Sequence, residues 1–429
     1  MTRFSVANTY MVFAGFGITY FGYLYFFPFD QGVSAAPFVV KAVKDVIAVL
    51  AVGWLMMHIK LSNIRLNSSG LFVPFAIATI FVSVIHATHM PWFSPIWHNI
   101  KNILLYMPFF MALFFVDKDE KQKAVEGIFQ IILVLAAVQV VFEIARDFGG
   151  PASLWSPGQH SAQIYSGLIG NPNSFALLLN LAIAISLIRL LSSYKRHSIT
   201  GWLALIGLFA FGIFHTISAS QLIVLFFQLS YAAVLAGLRS KRMLARAFLA
   251  IGIATAAGGL DMSATTATLR PMEQTVLLVL RSPSSDEAGP PSDLSRSVSL
   301  RLTMHRETWD TLTRGLPSAL LGDFTTKDYR FLDGQYLVFI VNGGLVWLIA
   351  FLVPAGLIYF RSLLALMRSR ALSDPLFTLH LMLICFGITF VFSRVLQYFP
   401  FNLLFFIIAA GTVIYTETAA RSVERSGSS

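Results

Sequence analysis

The sequence predicts an all-α integral membrane protein with about twelve transmembrane helices and one long outer loop. Of its 429 residues, 56% are apolar and only 12% are charged, and the mean hydropathy is +0.71. A soluble domain carries roughly 25% charged residues, so this composition suits a surface that lipid solvates. The apolar residues also fall into long runs, and a run that crosses hydrocarbon must satisfy its own backbone groups, as a helix does.

Twelve apolar runs follow one another along the chain, each close to the length of about 20 residues that a spanning helix needs. They lie at residues 8–28, 37–58, 70–89, 97–116, 124–145, 168–190, 199–216, 220–238, 243–260, 334–360, 376–396 and 400–417. The predicted organisation is therefore helices 1–9 in residues 1–260, a long outer loop in 261–332, and helices 10–12 with a cytoplasmic tail in 333–429.

Residues that favour helix starts precede several of these runs. The tripeptide Asn171-Pro172-Asn173 places a capping side chain before a proline that the first helical turn tolerates. Ser220 and Asp333 are predicted N-caps of the eighth and tenth spans, and Pro400 opens the twelfth. The first run is longer and more aromatic than a usual signal-peptide core, so we read it as a spanning helix.

Basic residues alternate between successive connections and so predict the orientation. The short odd-numbered connections hold almost none, with Arg146 and Arg394 as the exceptions. The N-terminal tail, the even-numbered connections and the C-terminal tail hold Arg3, Lys60, Arg65, Lys118, Lys121, Lys123, Arg189, Lys195, Arg196, Arg239, Lys241, Arg242, Arg246, Arg361, Arg368, Arg370, Arg421 and Arg425. The positive-inside rule then places both termini in the cytoplasm. Much of the net charge of +10 is a topology signal, so nucleic acid is not a predicted partner.

The ninth connection is long, translocated and rich in arginine. Its first half contains serine, glycine and proline clusters typical of a flexible linker. Its second half, from Val298 to Leu312, has apolar residues at helical spacing and predicts an amphipathic helix lying on the bundle, with Arg301, His305 and Arg306 on neighbouring turns. These arginines either bind anionic lipid headgroups or hold an anionic substrate, for which the guanidinium fork is well suited.

Other charges gather at the same outer level. Lys101 lies in the fourth span, Arg146 at the end of the fifth and Arg394 at the end of the eleventh. Arg146 and Arg394 have no convincing acidic partner nearby in sequence, so they are the better candidates for substrate binding, whereas Lys41 and Asp45 are spaced for a simple salt bridge. The helix that starts at Asn171 and Asn173 points its free backbone amide groups outward. These amides either bind an anion or have a purely structural role.

The sequence offers few residues for metal or cofactor chemistry. The single cysteine, Cys385, lies inside an apolar run and excludes a disulfide framework or a thiolate zinc site. We find no nucleotide-binding loop, no Cys/His cluster and no carboxylate pair with metal spacing in the outer loops. No metal and no cofactor are therefore predicted.

A series of short motifs occupies roughly residues 140–360. Residues 166–176 read SGLIGNPNSFA at the start of a span, and Ser218 and Ser220 open the eighth span with Ala219 between them. Later come Arg301 followed by Trp309, the turn 317–322, the run 333–336 (DGQY) and the run 342–344 (NGG). In this order the motifs resemble those of the O-antigen ligase and O-antigen or exopolysaccharide polymerase superfamily, although that family often has an arginine at the position of Ala219.

The resemblance implies a membrane glycosyltransferase of GT-C-like architecture in the bacterial inner membrane, with its long loop in the periplasm. Such an enzyme takes a glycan from a polyprenyl-diphosphate carrier and passes it to a sugar hydroxyl, without a nucleotide sugar or a metal. Cations must then stabilise the departing diphosphate. The residues that match this need are Arg146, Arg301, Arg306 and Arg394, with Lys101, Asn171 and Asn173 as further binding candidates. Expected partners are the lipid-linked glycan, membrane lipids, and a chain-length regulator or secretion-complex proteins.

The residue expected to act as the catalytic base differs between two branches of this superfamily. Ligases, which transfer glycan to lipid A–core, typically show histidine and asparagine where the long loop enters the next span, whereas this chain has Asp333-Gly334. That departure resembles the polymerases and makes Asp333 the first candidate base, with His305 as the second; the alternative for Asp333 is a helix cap. A flippase or transporter is the alternative of another class, but its charges would line the whole transport path.

Overall fold

The computed structural model of the protein describes most of the predicted bundle. The described residues are 5–18, 36–57, 70–89, 95–148, 165, 171–260, 306, 308–310, 312–322, 334–368, 374–393, 395–397 and 400–427. Asp333, His305, Arg301 and Arg394 lie outside them. Within the described ranges the chain is all α, as the sequence predicts.

Most of the described residues lie in α-helices. In chain order they are α1 (Val6–Phe16), α2 (Ala36–Met57), α3 (Val73–His89), α4 (Pro95–Phe115), α5 (Lys118–Asp147), α6 (Pro172–Ser192), α7 (Arg196–His215), α8 (Ala219–Gly237), α9 (Lys241–Gly259), α10 (Leu316–Leu321), α11 (Gln335–Arg368), α12 (Asp374–Phe392) and α13 (Phe401–Gly427). A helix covers part of each apolar run predicted from the sequence.

Seven of the described helices are long and apolar enough to cross a membrane, namely α5, α6, α7, α8, α11, α12 and the first 20 residues of α13. Shorter apolar helical segments lie at Val6–Phe16, Asp45–Leu55, Val73–Ile85 and Ile103–Phe115. These features confirm a multi-pass, all-α membrane protein.

Local signals in the sequence set where the central helices begin. The Asn171 side chain accepts a hydrogen bond from the Ser174 amide at 3.0 Å, and Pro172 occupies the first helical turn, as predicted. The prediction for α8 is wrong by two residues, because Ser218 rather than Ser220 precedes the helix. Ser218 makes no capping bond, since its hydroxyl is used in a contact between helices.

Helix α6 lies at the centre of the bundle. Nearly all of its side chains from Ser174 to Leu191 are buried, and α5, α7, α8, α9 and α12 pack around it. Gly212 of α7 permits this close packing, because a Cβ atom there would lie 2.8 Å from Leu179 and 3.0 Å from Val140. Asn171 and Asn173, at the N-terminus of this central helix, are half-buried.

A second packing region joins α3, α11 and α13 through aromatic rings. The Phe351 ring contacts Phe339 at 4.9 Å, Phe75 at 5.2 Å and Phe405 at 5.7 Å between centroids. The buried Trp347 indole donates to Thr79 Oγ1 at 2.9 Å, so the one polar atom of that side chain is satisfied.

The end of the outer loop is clamped onto α11. The short helix α10 packs over a break in α11 at Gly344, whose φ is +63°. A Cβ atom at Gly344 would overlap the backbone of Leu320 and Leu321, and one at Gly322 (φ +86°) would lie 2.6 Å from the Val341 carbonyl oxygen. Only glycine fits two backbones this close, so the Pro317–Gly322 turn and the 342–344 run form one unit.

Part of the amphipathic helix predicted in the outer loop is described, and it is helical at 306, 308–310 and 312–313. Thr308 is buried, whereas Trp309 is 67% exposed and Arg306 is also exposed. Tryptophan favours the polar–apolar border of a membrane, so its exposure at the end of the bundle is physically reasonable.

Candidate active site

The candidate site lies where α5 ends, α6 begins and α7 turns into α8. Asn173, in the first turn of α6, accepts a hydrogen bond on Oδ1 from the Ser218 hydroxyl at 2.5 Å. The Ser218 and Ser220 oxygens are 3.3 Å apart. Two motifs separated by 45 positions in the sequence therefore form one cluster of hydroxyl and amide groups. Asn171 has a different task, since its side chain is used in the cap of α6.

The turn that presents Ser218 is strained. Ile217 has a φ of +51°, and a β-branched residue in this region is a genuine outlier that costs on the order of 1–3 kcal/mol. Neighbouring hydrogen bonds hold it there: the Thr216 hydroxyl donates to the Ile213 carbonyl at 2.7 Å and the Ile217 amide to the Phe214 carbonyl at 3.2 Å. Such strain is concentrated at functional sites, which singles out this turn.

Tyr165 connects the strained turn to the end of α5. Its amide donates to the His215 carbonyl at 2.9 Å, its ring stacks on the His215 ring at 4.6 Å, and its hydroxyl donates to Asp147 Oδ2 at 2.5 Å. Burial raises the pKa of the Tyr165 phenol, and the hydrogen bond to Asp147 raises it further. Tyr165 therefore remains a neutral donor at physiological pH.

Arg146 lies beside this tyrosine, and the expectation that it has no acidic partner is wrong. Its Nη1 is 2.9 Å from Glu143 Oε2, its Nη2 is 3.8 Å from Asp147 Oδ1, and its guanidinium lies 5.6 Å from the centre of the Tyr165 ring. Residues at i and i+3 face each other on a helix, so Glu143 was in reach by sequence alone.

The guanidinium of Arg146 still offers donors. Its Nε and Nη2 are buried and have no hydrogen-bond partner among the described residues. Two carboxylates surround this one cation, so the cluster is acidic as it stands. An anionic ligand at this site therefore needs further cations, which the arginines predicted in the outer loop and at the end of α12 would have to supply.

A chain of fully buried polar side chains supports the site from below. Asn180 of α6 donates to the Gln221 Oε1 at 3.0 Å, and Gln228 of α8 donates to Asn180 Oδ1 at 2.8 Å. Gln221 also donates to Thr389 of α12 at 3.2 Å, and the Cys385 thiol donates to Gln228 Oε1 at 3.1 Å. We call these five residues the polar seam. Because they bond mostly to one another, the seam fixes α6, α8 and α12 in register beneath the site.

The remaining predicted residues are dispersed. Lys101 is 47% exposed and forms a salt bridge with Asp45, so its charge serves the contact between α2 and α4. The sequence predicts Lys41 as the partner of Asp45. Arg306 is exposed in the outer loop.

The neighbours of Asp333 and Arg394 meet in the structure. A Cβ atom at Gly334 would lie 2.7 Å from the Val391 carbonyl oxygen, and the Gln335 side chain accepts from the Leu396 amide at 3.2 Å. The two chain segments that carry the predicted base and a predicted cation are therefore adjacent at the same end of the bundle.

His215, Tyr165 and the polar seam were missed by sequence reasoning. The amides of Asn180, Gln221 and Gln228 inside apolar runs were a usable signal, because polar groups in a membrane require partners. The contact of Tyr165 with His215 has no comparable signal, since 50 residues separate them and the chain between forms a helical hairpin. Among the described residues, no group of three His, Cys, Asp or Glu side chains is placed to hold a metal ion.

No protein-family model matches the chain, and no curated protein matches it either.

Proposed function

We propose that this protein is a glycosyltransferase of the bacterial inner membrane that polymerises O-antigen or exopolysaccharide repeat units at the periplasmic face. It would take glycan from a polyprenyl-diphosphate carrier and pass it to a sugar hydroxyl. One observation carries the proposal: two pairs of the motifs on which the resemblance depends are each in contact. Asn173 bonds to Ser218 beside the strained Ile217, and the 317–322 turn is clamped on Gly344.

The residues suit the steps of this reaction. The acceptor hydroxyl oxygen forms a bond to the anomeric carbon while the bond from that carbon to the diphosphate oxygen breaks. A base accepts the acceptor proton, and Asp333 is our first candidate, with His305 as the second. The diphosphate leaves with its charge, and the arginines 146, 301, 306 and 394 are the proposed cations that stabilise it. Ser218, Ser220 and Asn173 supply hydroxyl and amide groups that are suited to bind sugar hydroxyls.

The distribution of charge supports an outward-facing site. Basic residues gather at the opposite end of the helices: Arg246 donates to the Leu191 carbonyl at 2.8 Å, and Arg239 to the Leu366 carbonyl. The Ser192 hydroxyl donates to Asp374 at 2.6 Å at that same end. By the positive-inside rule this end is cytoplasmic. The full proposal is twelve spans of GT-C-like arrangement, with both termini in the cytoplasm and the long loop in the periplasm.

Reconstitution tests the reaction. Purified protein is mixed with lipid-linked repeat units in proteoliposomes, with a chelator present and no nucleotide. The expected product is a ladder of lipid-linked polymer, visible on a gel stained for glycan. Supplying lipid A–core as acceptor tests the ligase alternative, which predicts transfer to that acceptor and no ladder. Movement of the lipid-linked unit between leaflets without any new glycosidic bond would contradict the proposal and show that the protein is a flippase.

Cysteine labelling tests the orientation. Single cysteines replace Arg242 and Thr313 in a Cys385→Ser background, and an impermeant thiol reagent is added to intact spheroplasts. We expect labelling at position 313 and protection at position 242 until the membrane is permeabilised. The opposite pattern would show that the protein has the inverse orientation, with the site at the cytoplasmic face.

A further inference from the structure

The start of α11 is joined to the end of α12 and to the 3₁₀ turn that follows it, Val395–Gln397. A Cβ atom at Gly334 would lie 2.7 Å from the Val391 carbonyl oxygen, so the two backbones approach each other closely there. One position later, Gln335 Oε1 accepts a hydrogen bond from the Leu396 amide at 3.2 Å. We call this pair of contacts, together with the contact of the next residue, the α11–α12 junction.

Tyr336 makes the third contact in succession. Its hydroxyl donates to the Gly387 carbonyl at 3.2 Å, and its ring meets the Phe390 ring edge-on, with 6.1 Å between the centroids. The positions 334, 335 and 336 therefore each contact a backbone group of the segment 387–396. Because these partners are backbone groups, substitutions at the start of α11 are sufficient to test the junction.

Gln335 is the polar centre of the junction. Gln335 and Leu396 are both fully buried, so water does not compete for their hydrogen bond. The first amides of a helical turn have no partner within the turn, and Gln335 supplies one for Leu396. The turn itself packs on α4 and α13. Removal of the glutamine oxygen would leave a buried amide unpaired, which costs the desolvation of that group.

Packing alone does not explain a glutamine at this position. Gln335 Nε2 is buried and has no hydrogen-bond partner among the described residues. A methionine has nearly the same length but no amide group, so it would fill the space without the cost of an unpaired buried donor. What methionine lacks is the Oε1 acceptor. The bond to Leu396 is therefore the feature for which a glutamine is needed.

The bond lies close in the chain to two candidate residues of the proposed reaction. Asp333, the first candidate base, precedes Gln335 by two positions, and Arg394, a candidate cation, precedes Leu396 by two positions. The backbone spans at most about 3.6 Å per residue, so a shift at either end of the bond reaches the candidate residue two positions away.

We propose that Gln335 is a positioning residue, which keeps the chain segment of the base and that of the cation at a fixed separation. The acceptor hydroxyl loses its proton to the base while cations stabilise the departing diphosphate, so the two groups must stay in register. The role of Gln335 in the reaction rests on the proposed function, whereas the junction rests on the contacts described above.

Hydrogen exchange tests the junction without any substrate. Purified protein in phosphatidylglycerol nanodiscs is transferred to deuterated water, and mass spectrometry follows the peptide 393–400. In Gln335→Met this peptide should exchange roughly fivefold faster, the change expected for the loss of one hydrogen bond. Gln228→Met is the matched control, because it removes a buried glutamine of the polar seam whose partners lie elsewhere. It should leave the exchange of this peptide unchanged.

Gly334→Ala is a second variant that opens the junction without removing a polar group, because its Cβ atom would collide with the Val391 carbonyl. The same peptide should again exchange faster. Unchanged exchange in both junction variants would overturn the proposal. So would an equal increase in Gln228→Met, since that result would show a general loosening of the bundle.

Turnover separates a positioning role from a purely structural one. In the reconstituted assay, Gln335→Met should lower the rate of polymer formation roughly a hundredfold, as misplacement of a reacting group by about 1 Å does. In an Asp333→Asn or Arg394→Ala background it should lower the rate much less, because the group through which Gln335 acts is already lost. A glutamine that only stabilises the fold would lower the rate by the same factor in every background, and that result would overturn the proposal.

The two proposals fail separately. If the wild-type protein forms no polymer but the variants exchange as expected, the proposed reaction falls and the junction stands. If the wild-type protein forms polymer and Gln335→Met causes equal losses in all backgrounds, the reaction stands and the positioning role of Gln335 falls.

Discussion

The half of the bundle formed by α6, α8 and α12 joins its helices through hydrogen bonds, whereas the half formed by α3, α11 and α13 joins them through aromatic rings. The first half contains the polar seam, and the second contains the rings around Phe351. Hydrogen bonds are directional and fix the register of helices, while ring contacts fill volume and tolerate small shifts. The candidate site lies above the directional half, where Ser218 must be held against Asn173.

The two halves need precise placement at different residues. Below Asn173 and Ser218, the amides of the polar seam bond mostly to one another, so a helix rotation would break several bonds at once. In the aromatic half, the precise element is the contact of α10 with Gly344, which places the end of the outer loop. Each half thus contributes one accurately placed feature to the bundle.

The largest effect is expected for Arg146→Ala. Its removal leaves the buried Glu143 carboxylate beside an empty space, and breaking a buried ion pair costs about 3–5 kcal/mol. Thermal unfolding in detergent measures the loss. The double variant Arg146→Ala with Glu143→Gln should recover much of the stability, because no buried charge remains. A double variant as unstable as the single one would show that Arg146 acts through packing.

Ser218→Ala and Asn173→Ala test the hydrogen-bonded half by activity. Loss of one group that positions a sugar hydroxyl should lower turnover by roughly a hundredfold, because the substrate is then misplaced, whereas loss of one hydrogen bond costs only about 1 kcal/mol of stability. Ser193→Ala is the control, since its hydroxyl bonds at the other end of the bundle. Normal turnover in both site variants would remove this cluster from the proposed mechanism.

Gly344→Ala tests the aromatic half. Alanine at a φ of +63° against the backbone of α10 should cost about 1–3 kcal/mol through strain. Limited proteolysis of the outer loop should also become faster, because α10 would be displaced. Gly53→Ala in α2, where a Cβ atom meets nothing within 4 Å, should change neither measurement. An unchanged unfolding midpoint for Gly344→Ala would contradict the clamp.

The smallest effects compare hydrogen bonds in the two halves. Gln228→Met removes two bonds, to Asn180 and Cys385, and Thr79→Val removes one, from the Trp347 indole. Each lost bond should cost on the order of 0.6 kcal/mol, the average for side-chain bonds between membrane helices. If the two halves differ as described, only Gln228→Met should also lower glycan transfer. Equal effects of the two variants on glycan transfer would show that the two halves do not differ in function.

Sequence patterns alone predict the helices, the cap at Asn171 and the all-α membrane class. These features depend on apolar length and on local capping, both of which are written within about 20 consecutive residues. Sequence reasoning also selected Asn173, the serine pair and the 342–344 run. It did so through motif order, without any means of showing that they touch.

The packing of the helices selected which of these residues form a site. It brought Ser218 to Asn173, stacked Tyr165 on His215 and gave Arg146 an acidic partner, while it used Lys101 elsewhere. It also left space beside Gly356 and Gly387, a feature that no local pattern encodes. The physical reason is that helix formation is local, whereas the packing of one helix face on another depends on side chains far apart in the chain.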